Sequence, residues 1–260
     1  MTTRKELRAR ADEVQKQMDH RAHRPHNAPS ATPAPGMQRY TAESIFGGVW
    51  GRPGLDLRYR MLGSLALLTS LQRLPQLRSY VYTALNLKIP PEEVQEVLIQ
   101  CSLFVGFPTT MNSLEVAQDV FRERGLATPS GDVPEASLDE LERRGRALRD
   151  RLMGDIDREP HLQAVNALAP DLHHLLLQYG FGELFHRPGL GLKERVLCSI
   201  AALTALRMDP PLRYFIKAGQ RVGFSRQEVI EIIIQMAPYA GYPAAFQALA
   251  VAQQYLDGSS

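Results

Sequence analysis

The sequence predicts an all-α fold made of two tandem helical domains related by internal duplication. Residues 46–121 align with residues 181–256 at a constant offset of 135 without a gap, and roughly 28 of the 76 aligned positions are identical. A period of this length indicates a duplicated domain and not a solenoid of short units. Both copies also place glycine and proline at matching positions between helical stretches, and no segment shows sustained two-residue alternation.

The composition is that of an ordinary helical protein. A chain of 260 residues with 44% hydrophobic and 22% charged residues can bury a sizeable core without metals or disulfides. The net charge of +2, with arginines alternating with acids, does not favour a nucleic-acid partner. The sequence has neither a long apolar run nor a secretory signal pattern, so we expect no membrane partner and a cytoplasmic location. Cys101 and Cys198 match no redox or zinc spacing, and we expect buried free thiols.

The chain begins with a separate N-terminal region. Residues 2–18 have helical spacing and alternating charge, which predicts a helix that is solvated or contacts a partner. The Pro- and Ala-rich stretch that follows is typical of a linker. His20, His23 and His26 recur every three residues, but the nearby prolines disfavour a helix, and we predict no metal site. The predicted divisions are an N-terminal helix and linker at 1–39, a first domain at 40–127, and a connecting arm with a second domain at 128–260.

Each copy is predicted to contain four helices after an "RPGL" turn. The first, "RYRMLGSLALLTSLQ" or "KERVLCSIAALTALR", is apolar on nearly every side and is expected to be buried. Pro75 and Pro210 are predicted to end it, because the residue before proline avoids the helical region. The second helix is expected at about 76–87 and 211–222.

The later helices carry start and stop signals. Pro91 suits the first turn of the third helix, and Ser225 with Glu228 forms a predicted capping box in the other copy. A Gly-x-Pro break precedes the fourth helix, which a glycine ends. Between the copies, an amphipathic helix is expected to begin with a capping box at Ser137 and to stop at Gly154.

The order of these motifs resembles the carboxymuconolactone decarboxylase family. The first copy has Trp-x-Arg-Pro-Gly-Leu, "PEEVQEVLIQ" and "GFPTTMNSLEVA", and the second has "FHRPGL", "EVIEIIIQ" and "GYPAAFQALAVA". The resemblance implies all-helical domains of the alkylhydroperoxidase D-like type, which usually assemble as ring-shaped hexamers. A tandem chain is therefore expected to form a homo-oligomer, a trimer that reproduces a pseudo-hexamer.

The family's catalytic positions are not retained. The resemblance implies, for the peroxidase branch, a Glu, a Cys-x-x-Cys pair and a His. The aligned residues are Met61, Arg73, Gln76 and Tyr80 in the first copy, and Val196, Met208, Pro211 and Phe215 in the second. Without nucleophilic thiols there, peroxidase activity is the weakest hypothesis. The decarboxylase branch commonly carries a His where Tyr80 and Phe215 stand. Tyr80 can donate a proton but is a poor base at neutral pH, so the usual lactone decarboxylation is not expected.

Several arginines remain as candidate substrate-binding residues, because a guanidinium fork suits a carboxylate. They lie at the starts of the predicted helices, at Arg60, Arg78, Arg195 and Arg213, with Arg52 and Arg187 in the "RPGL" turns. The alternative is structural: they bind helix carbonyls or pair with Glu93, Glu96, Glu228 and Glu231.

The third helix of each copy carries candidate catalytic residues, Glu96, Glu231 and Tyr239, and candidate substrate-binding residues, Gln100 and Gln235. Glu96 and Gln100 share one helical face, as do Glu231, Gln235 and Tyr239. A carboxylate, an amide and a phenol in one cleft can move a proton, although the same face can also serve subunit contacts. His186 replaces Gly51 beside the second "RPGL" turn and is a candidate acid or base in that copy only, and Trp50 is expected to be an aromatic wall or core residue.

Two hypotheses of function follow. The first is a cofactor-independent enzyme that carries out proton-transfer chemistry, such as decarboxylation, isomerisation or lactone handling, on a small carboxylated molecule. The second is a non-catalytic scaffold of the same fold that binds a ligand or a partner. Converging polar groups around a concave site favour the enzyme, whereas a filled apolar interior favours the scaffold.

Overall fold

The computed structural model describes residues 2–19, 34, 36–130, 135–154, 156 and 159–256. It confirms the all-α prediction, since the described residues form helices and connecting turns without a strand. His20, His23 and His26 lie outside the described residues. No helix within these ranges is long and apolar enough to cross a membrane.

The two halves of the chain repeat the same series of helices. The first half contains α1 Arg4–Met18, α2 Met37–Tyr40 with a π-helical continuation Thr41–Trp50, α3 Leu57–Ser70, α4 Leu74–Asn86, α5 Pro91–Val105 and α6 Phe107–Glu123. The second half contains α7 Leu138–Met153, α8 Pro160–Leu168, α9 Pro170–Leu175 with a π-helical continuation Leu176–Glu183 and a 3₁₀ turn Leu184–His186, α10 Leu192–Leu206, α11 Asp209–Arg221, α12 Arg226–Ala240 and α13 Tyr242–Leu256.

Both copies contribute to one continuous core. Within the first copy α3 packs against α4 and α5, and α10 packs against α11 and α12 in the second. Across the copies, α3 packs against α10 and α12, while α5 packs against α10. The helices α3 and α10 are apolar on nearly all sides because they lie between the copies, and this explains their sequence pattern. Their most buried aliphatic residues include Leu62, Leu65, Leu197 and Ile200.

The N-terminal helix is part of this structure and not a solvated arm. Helix α1 packs along the π-helical segment, and its buried residues are Ala11, Val14 and Met18. The two backbones are so close that a Cβ added at Gly47 would lie 2.1 Å from the carbonyl oxygen of Leu7. Helix α7 repeats this packing, with Gly182 equally close to the carbonyl oxygen of Leu141. Only glycine permits such an approach.

The prediction that proline ends the first helix of each copy is wrong. Helix α3 ends at Ser70, and Gln72 reverses the chain in the left-handed region at φ 53°. Pro75 is the second residue of α4, and Pro210 is likewise in the first turn of α11. A first-turn proline loses no helical hydrogen bond, so it starts these helices.

The predicted helix caps are confirmed in part. The Ser225–Glu228 capping box is complete, and Pro91 begins α5. At Ser137 one half of the predicted box is present, because the Glu140 amide donates to the Ser137 hydroxyl at 3.3 Å. Gly154 follows the last residue of α7 at φ 72°.

Candidate functional site

A buried group of polar side chains joins the first copy to helix α12 of the second. Arg52 donates to Glu231 through Nε and Nη2, at 3.0 and 2.7 Å, and Arg60 Nη2 donates to the same carboxylate at 2.9 Å. Arg60 Nη1 also donates to Gln235, whose amide donates to Ser64 at 3.2 Å. We call these five residues the Glu231 cluster.

The same arrangement recurs with the two copies exchanged. Arg187 and Arg195 of the second copy donate to Glu96 of α5, at 2.7 and 2.9 Å through Nη2. Arg195 Nη1 also donates to Gln100 at 3.0 Å. These four residues are the Glu96 cluster. In each cluster the arginines come from one copy and the glutamate and glutamine from the other. The repeated Arg–Glu–Gln set therefore belongs to the interface between the copies.

The "RPGL" turn delivers its arginine to the glutamate of the other copy. Gly54 has φ 94°, and a Cβ there would lie 3.3 Å from Cγ of Glu231. Gly189 has φ 87° and lies equally close to Glu96, at 3.1 Å. A side chain at either position would meet both backbone strain and the glutamate. The turn is therefore shaped by its contact with the facing copy.

Glu231 is held in its charged form. Burial alone would raise the pKa of this carboxyl, but the hydrogen bonds from Arg52 and Arg60 outweigh burial and lower the pKa below its usual range. Both oxygens of the carboxylate are occupied by guanidinium donors. A carboxylate in this state is a weak base.

Beside the Glu231 cluster lie three aromatic side chains that hydrogen-bond to one another. Trp50 Nε1 donates to the hydroxyl of Tyr239 at 2.6 Å, and the hydroxyls of Tyr239 and Tyr80 form a short hydrogen bond. The ring centroids are 5.9 Å apart for Trp50 and Tyr80 and 5.8 Å apart for Tyr80 and Tyr239. We call this set the Trp–Tyr–Tyr group; it combines two residues of the first copy with one of the second.

At the equivalent place beside the Glu96 cluster, the three residues are all phenylalanine. Phe185, Phe215 and Phe104 replace Trp50, Tyr80 and Tyr239 in turn. Phe104 meets Phe215 edge-on at 5.5 Å, and Phe185 stacks on Phe215 at 6.4 Å. The two places hold aromatic residues at equivalent positions but differ in polarity, so hydrogen bonds among these side chains form in only one of them.

Both phenols of the Trp–Tyr–Tyr group stay protonated at neutral pH. Burial raises the pKa of Tyr239 to about 12, an effect that its hydrogen bonds to Tyr80 and Trp50 reduce only in part. Burial also raises the pKa of Tyr80 well above its ordinary value, and the neighbouring Tyr239 adds to this rise. Neutral phenols of this kind can donate a proton or a hydrogen bond but cannot act as bases near pH 7.

An open cleft of about 450 Å³ gives access to this end of the molecule. It lies between helix α1 and the first "RPGL" turn, and its walls include Arg10, Glu13, Gln17, Trp50, Arg52 and Leu55. Trp50 and Arg52 connect it to the buried groups, because Trp50 bonds to Tyr239 and Arg52 bonds to Glu231. The cleft is within the size range of small-molecule sites.

Three predicted site residues lie away from both clusters. Arg78 pairs with Glu123 on the surface, and Arg213 contacts Glu159 at 2.8 Å. The two side chains are 36% and 28% exposed, and their acidic partners belong to neither cluster. His186 is exposed and its Nδ1 lies 3.0 Å from the carbonyl oxygen of Phe181. Their proposed substrate or acid–base roles find no support in this geometry.

The two cysteines are free and buried, as expected. Burial raises the pKa of Cys101 to about 12 and that of Cys198 well above its ordinary value. Thiols in this state are not nucleophilic at neutral pH. Among the described residues, no three His, Cys, Asp or Glu side chains are grouped to hold a metal ion.

Helix α1 was not predicted to contribute to a site. Its charged residues conceal the spacing of Ala11, Val14 and Met18, at i, i+3 and i+7, which is typical of one buried helical face. Gly47, in the π-helical segment that faces α1, is a second indication in the sequence of this packing, because only glycine permits the close approach of Leu7.

The fold and the paired interface clusters define a duplicated, all-helical protein whose two equivalent aromatic groups differ in polarity. The chain belongs to the carboxymuconolactone decarboxylase family, whose profile matches residues 35–119 and 170–254. The two matches confirm the tandem arrangement.

Individual relatives each match about one copy. The chain is 32% identical over 91 residues to 4-carboxymuconolactone decarboxylase of Acinetobacter baylyi, covering 35% of this chain and 68% of that protein. It is 34% identical over 94 residues to an uncharacterised 15.0 kDa protein of Paracoccus denitrificans, covering 35% and 70%. It is 29% identical over 96 residues to a nitrosuccinic acid decarboxylase of Metarhizium robertsii, covering 36% and 66%.

Proposed function

We propose that the chain is a decarboxylase that acts on a small carboxylated molecule in the cleft beside Trp50, without a cofactor. The observation that carries this proposal is the unequal polarity of two otherwise equivalent places. Trp50, Tyr80 and Tyr239 hydrogen-bond to one another where the other place has three phenylalanines. Packing alone does not require this difference, because the phenylalanines fill the same position.

The Trp–Tyr–Tyr group has the chemistry that the second half of a decarboxylation needs. When the bond between carbon and carboxylate breaks, CO₂ leaves and the electron pair stays on carbon, delocalised into a neighbouring electron-withdrawing group. A neutral phenol then transfers its proton to that carbon, and water entering the cleft reprotonates the phenolate. Tyr80 is our candidate proton donor. Of the three residues Trp50 lines the cleft, and Tyr80 is linked to it through Tyr239, which accepts from Trp50 and shares a hydrogen bond with Tyr80.

Arg52 is the proposed contact for the substrate carboxylate. Its side chain is 37% exposed and lines the cleft, while Nε and Nη2 are fixed by Glu231. Its Nη1 has no hydrogen-bond partner among the described residues, so one edge of the guanidinium faces the cleft. In this arrangement Glu231, Arg60 and Gln235 hold Arg52 and the turn in place, and Glu96, Gln100 and Arg195 do the same for the apolar copy.

The alternative is a protein that binds a ligand at this cleft without turnover. It is favoured by the arginine donors of Glu231 and Glu96, which occupy the oxygens of both buried carboxylates. The peroxidase hypothesis is weakened, because both thiols are buried with raised pKa values. Free thiols also suit a reducing compartment, which supports a cytoplasmic location.

The test is CO₂ release from a panel of small acids with an electron-withdrawing group next to the departing carboxylate, including nitrosuccinate and 4-carboxymuconolactone. We expect release from at least one acid and slow turnover of 4-carboxymuconolactone, because Tyr80 stands where the family has histidine. A Trp50→Phe/Tyr80→Phe/Tyr239→Phe variant, which copies the apolar place, should be inactive. No release from any acid, together with saturable binding at the cleft, would support the ligand-binding alternative.

We further propose that the chain forms a homotrimer that reproduces a pseudo-hexamer. Large exposed apolar residues recur at equivalent positions of the two copies, as expected for a surface that repeats around a ring. Phe107 and Tyr242 are 73% and 55% exposed, and Met111 and Phe246 are 56% and 69% exposed.

For the 29.1 kDa chain, light scattering should give about 87 kDa, which is three times 29.1 kDa. Phe246→Asp should reduce this mass, because it places a charge in the repeated surface. Leu126→Asp is the control, since Leu126 is exposed but lies outside the repeated segment. A monomeric wild-type protein, or an unchanged mass for Phe246→Asp, would contradict the proposal.

A further inference from the structure

Helix α1 forms one wall of the cleft although it lies outside both segments that match the family. Residues 35–119 and 170–254 match the family profile, whereas α1 ends at Met18. The helix is fixed in place by its buried face and by an ion pair of 3.0 Å between Arg8 and Glu43. The wall is therefore a firmly packed part of the fold, and its polar residues are held at the cleft.

Arg10 is the cation of this wall. It lines the cleft with Trp50 and Arg52, and its charge acts on Glu6, one turn earlier on α1, without a hydrogen bond or an ion pair within 4.0 Å among the described residues. Its position next to the turn is fixed, because a Cβ added at Gly51 would lie 3.0 Å from Cβ of Arg10. The cleft thus has the exposed guanidinium of Arg10 on one wall and the open edge of Arg52 on the other.

The second copy does not repeat this arrangement. The position of Gly51 is taken there by His186, and the position of Arg10 on the helix by Arg144. Arg144 lies 3.5 Å from Glu140 on its own helix, whereas Arg10 acts on the equivalent Glu6 without an ion pair within 4.0 Å. The copies therefore differ in how close this arginine lies to its glutamate, and the arginine without a close ion pair is in the copy that also carries the Trp–Tyr–Tyr group.

We propose that Arg10 is a substrate-binding residue supplied by the N-terminal helix, and that it selects molecules with a second carboxylate. One carboxylate of the ligand meets Arg52 and the other meets Arg10, with the indole of Trp50 between them. Glu13 lies on the same wall and accepts from Gln17 at 2.9 Å, so it disfavours further negative charge at its end of the cleft. This inference deepens the proposed function and rests on the cleft being its substrate site.

The chain carries its own reporter for a binding test. Trp50 is the single tryptophan in the sequence and lines the cleft, so a change in intrinsic fluorescence reports on this site. Adipate, with two carboxylates, and hexanoate, with one, are the probes, because both are transparent and have chains of equal length.

We expect wild-type protein to bind adipate more tightly than hexanoate. Arg10→Ala should raise the Kd for adipate about 10-fold, the loss expected for a charge-assisted hydrogen bond, and change the Kd for hexanoate less than about twofold. Arg144→Ala, the matched change on α7, should change neither. Glu13→Gln should tighten adipate binding, because it removes a like charge from the wall.

Two outcomes would overturn the inference. One is an unchanged preference for adipate in Arg10→Ala, and the other is a wild-type protein with no saturable response to adipate. Measurement of CO₂ release separates this failure from failure of the proposed function. If Arg10→Ala leaves the KM of an active substrate unchanged while Tyr80→Phe abolishes release, the decarboxylase stands and the role of Arg10 falls. If Arg10 controls adipate binding but no acid releases CO₂, the role of Arg10 in ligand binding stands and the decarboxylase proposal falls.

Discussion

Replacing Tyr80 with phenylalanine should lower the rate of CO₂ release about 10²- to 10⁴-fold, the usual contribution of a positioned proton donor. The change removes one oxygen atom from a side chain that is 6% exposed, and Phe215 shows that phenylalanine packs well at the equivalent position. Folding and substrate binding should therefore change little. The measurement is kcat and KM for an acid that the wild-type protein turns over.

The second copy provides the matched control for this prediction. Phe215→Tyr adds a phenol against the rings of Phe104 and Phe185, which cannot hydrogen-bond to it as Trp50 and Tyr239 do in the first copy, so it should leave kcat unchanged. Tyr239→Phe should lower kcat less than Tyr80→Phe does and more than the Phe215→Tyr control, because Tyr239 orients the donor. A Tyr80→Phe protein that retains wild-type kcat would remove Tyr80 from the mechanism.

The pH dependence of the rate of CO₂ release should agree with a protonated Tyr80 as the proton donor. The active form of the phenol is protonated, and activity that depends on it is lost only as the pH rises through the pKa in the folded protein. Burial holds the pKa of Tyr239 at about 12 and that of Tyr80 well above its ordinary value. The rate should therefore show no alkaline fall from these groups at the neutral and mildly alkaline pH where the protein is assayed.

The sequence predicted the helices and the repeat far better than the composition of the sites. The duplication could be recognised without a structure because the two copies align without a gap. The ends of the helices could be recognised because glycine and proline act on their immediate neighbours in the chain. The partners of the site residues are not local: Trp50 and Tyr239 are 189 positions apart, and Arg60 and Glu231 are 171 apart. The spacing of Glu231, Gln235 and Tyr239 correctly placed them on one helical face, but only the packing of the copies shows what that face meets. Pro75 was misplaced for a related reason, since a proline between two helices is compatible with either boundary.

The largest expected effect on stability is that of Glu231→Ala, which should lower the free energy of unfolding by about 3–5 kcal/mol. The side chains of Glu231 and Arg60 are both fully buried, and removal of the carboxylate leaves the Arg60 guanidinium buried without its counter-ion. Chemical denaturation at neutral pH measures the change. Glu123→Ala removes a partner of Arg78 from a surface pair in which the two side chains are 36% and 47% exposed, and it should cost less than about 1 kcal/mol.

The dependence of stability on pH provides an independent check on the charged state of Glu231. Its pKa is lowered in the folded protein from the ordinary value of 4.5, so the unfolded chain binds the proton more readily. The stabilisation is therefore complete above about pH 4.5 and is lost as the pH falls through the lower pKa of the folded state. Glu231→Ala should flatten this acid limb, whereas Glu123→Ala should retain it. A double variant, Arg60→Leu/Glu231→Leu, should recover much of the loss at neutral pH, since an apolar pair avoids the unpaired charge. If Glu231→Ala costs no more than the surface control, the cluster is not what joins the two copies.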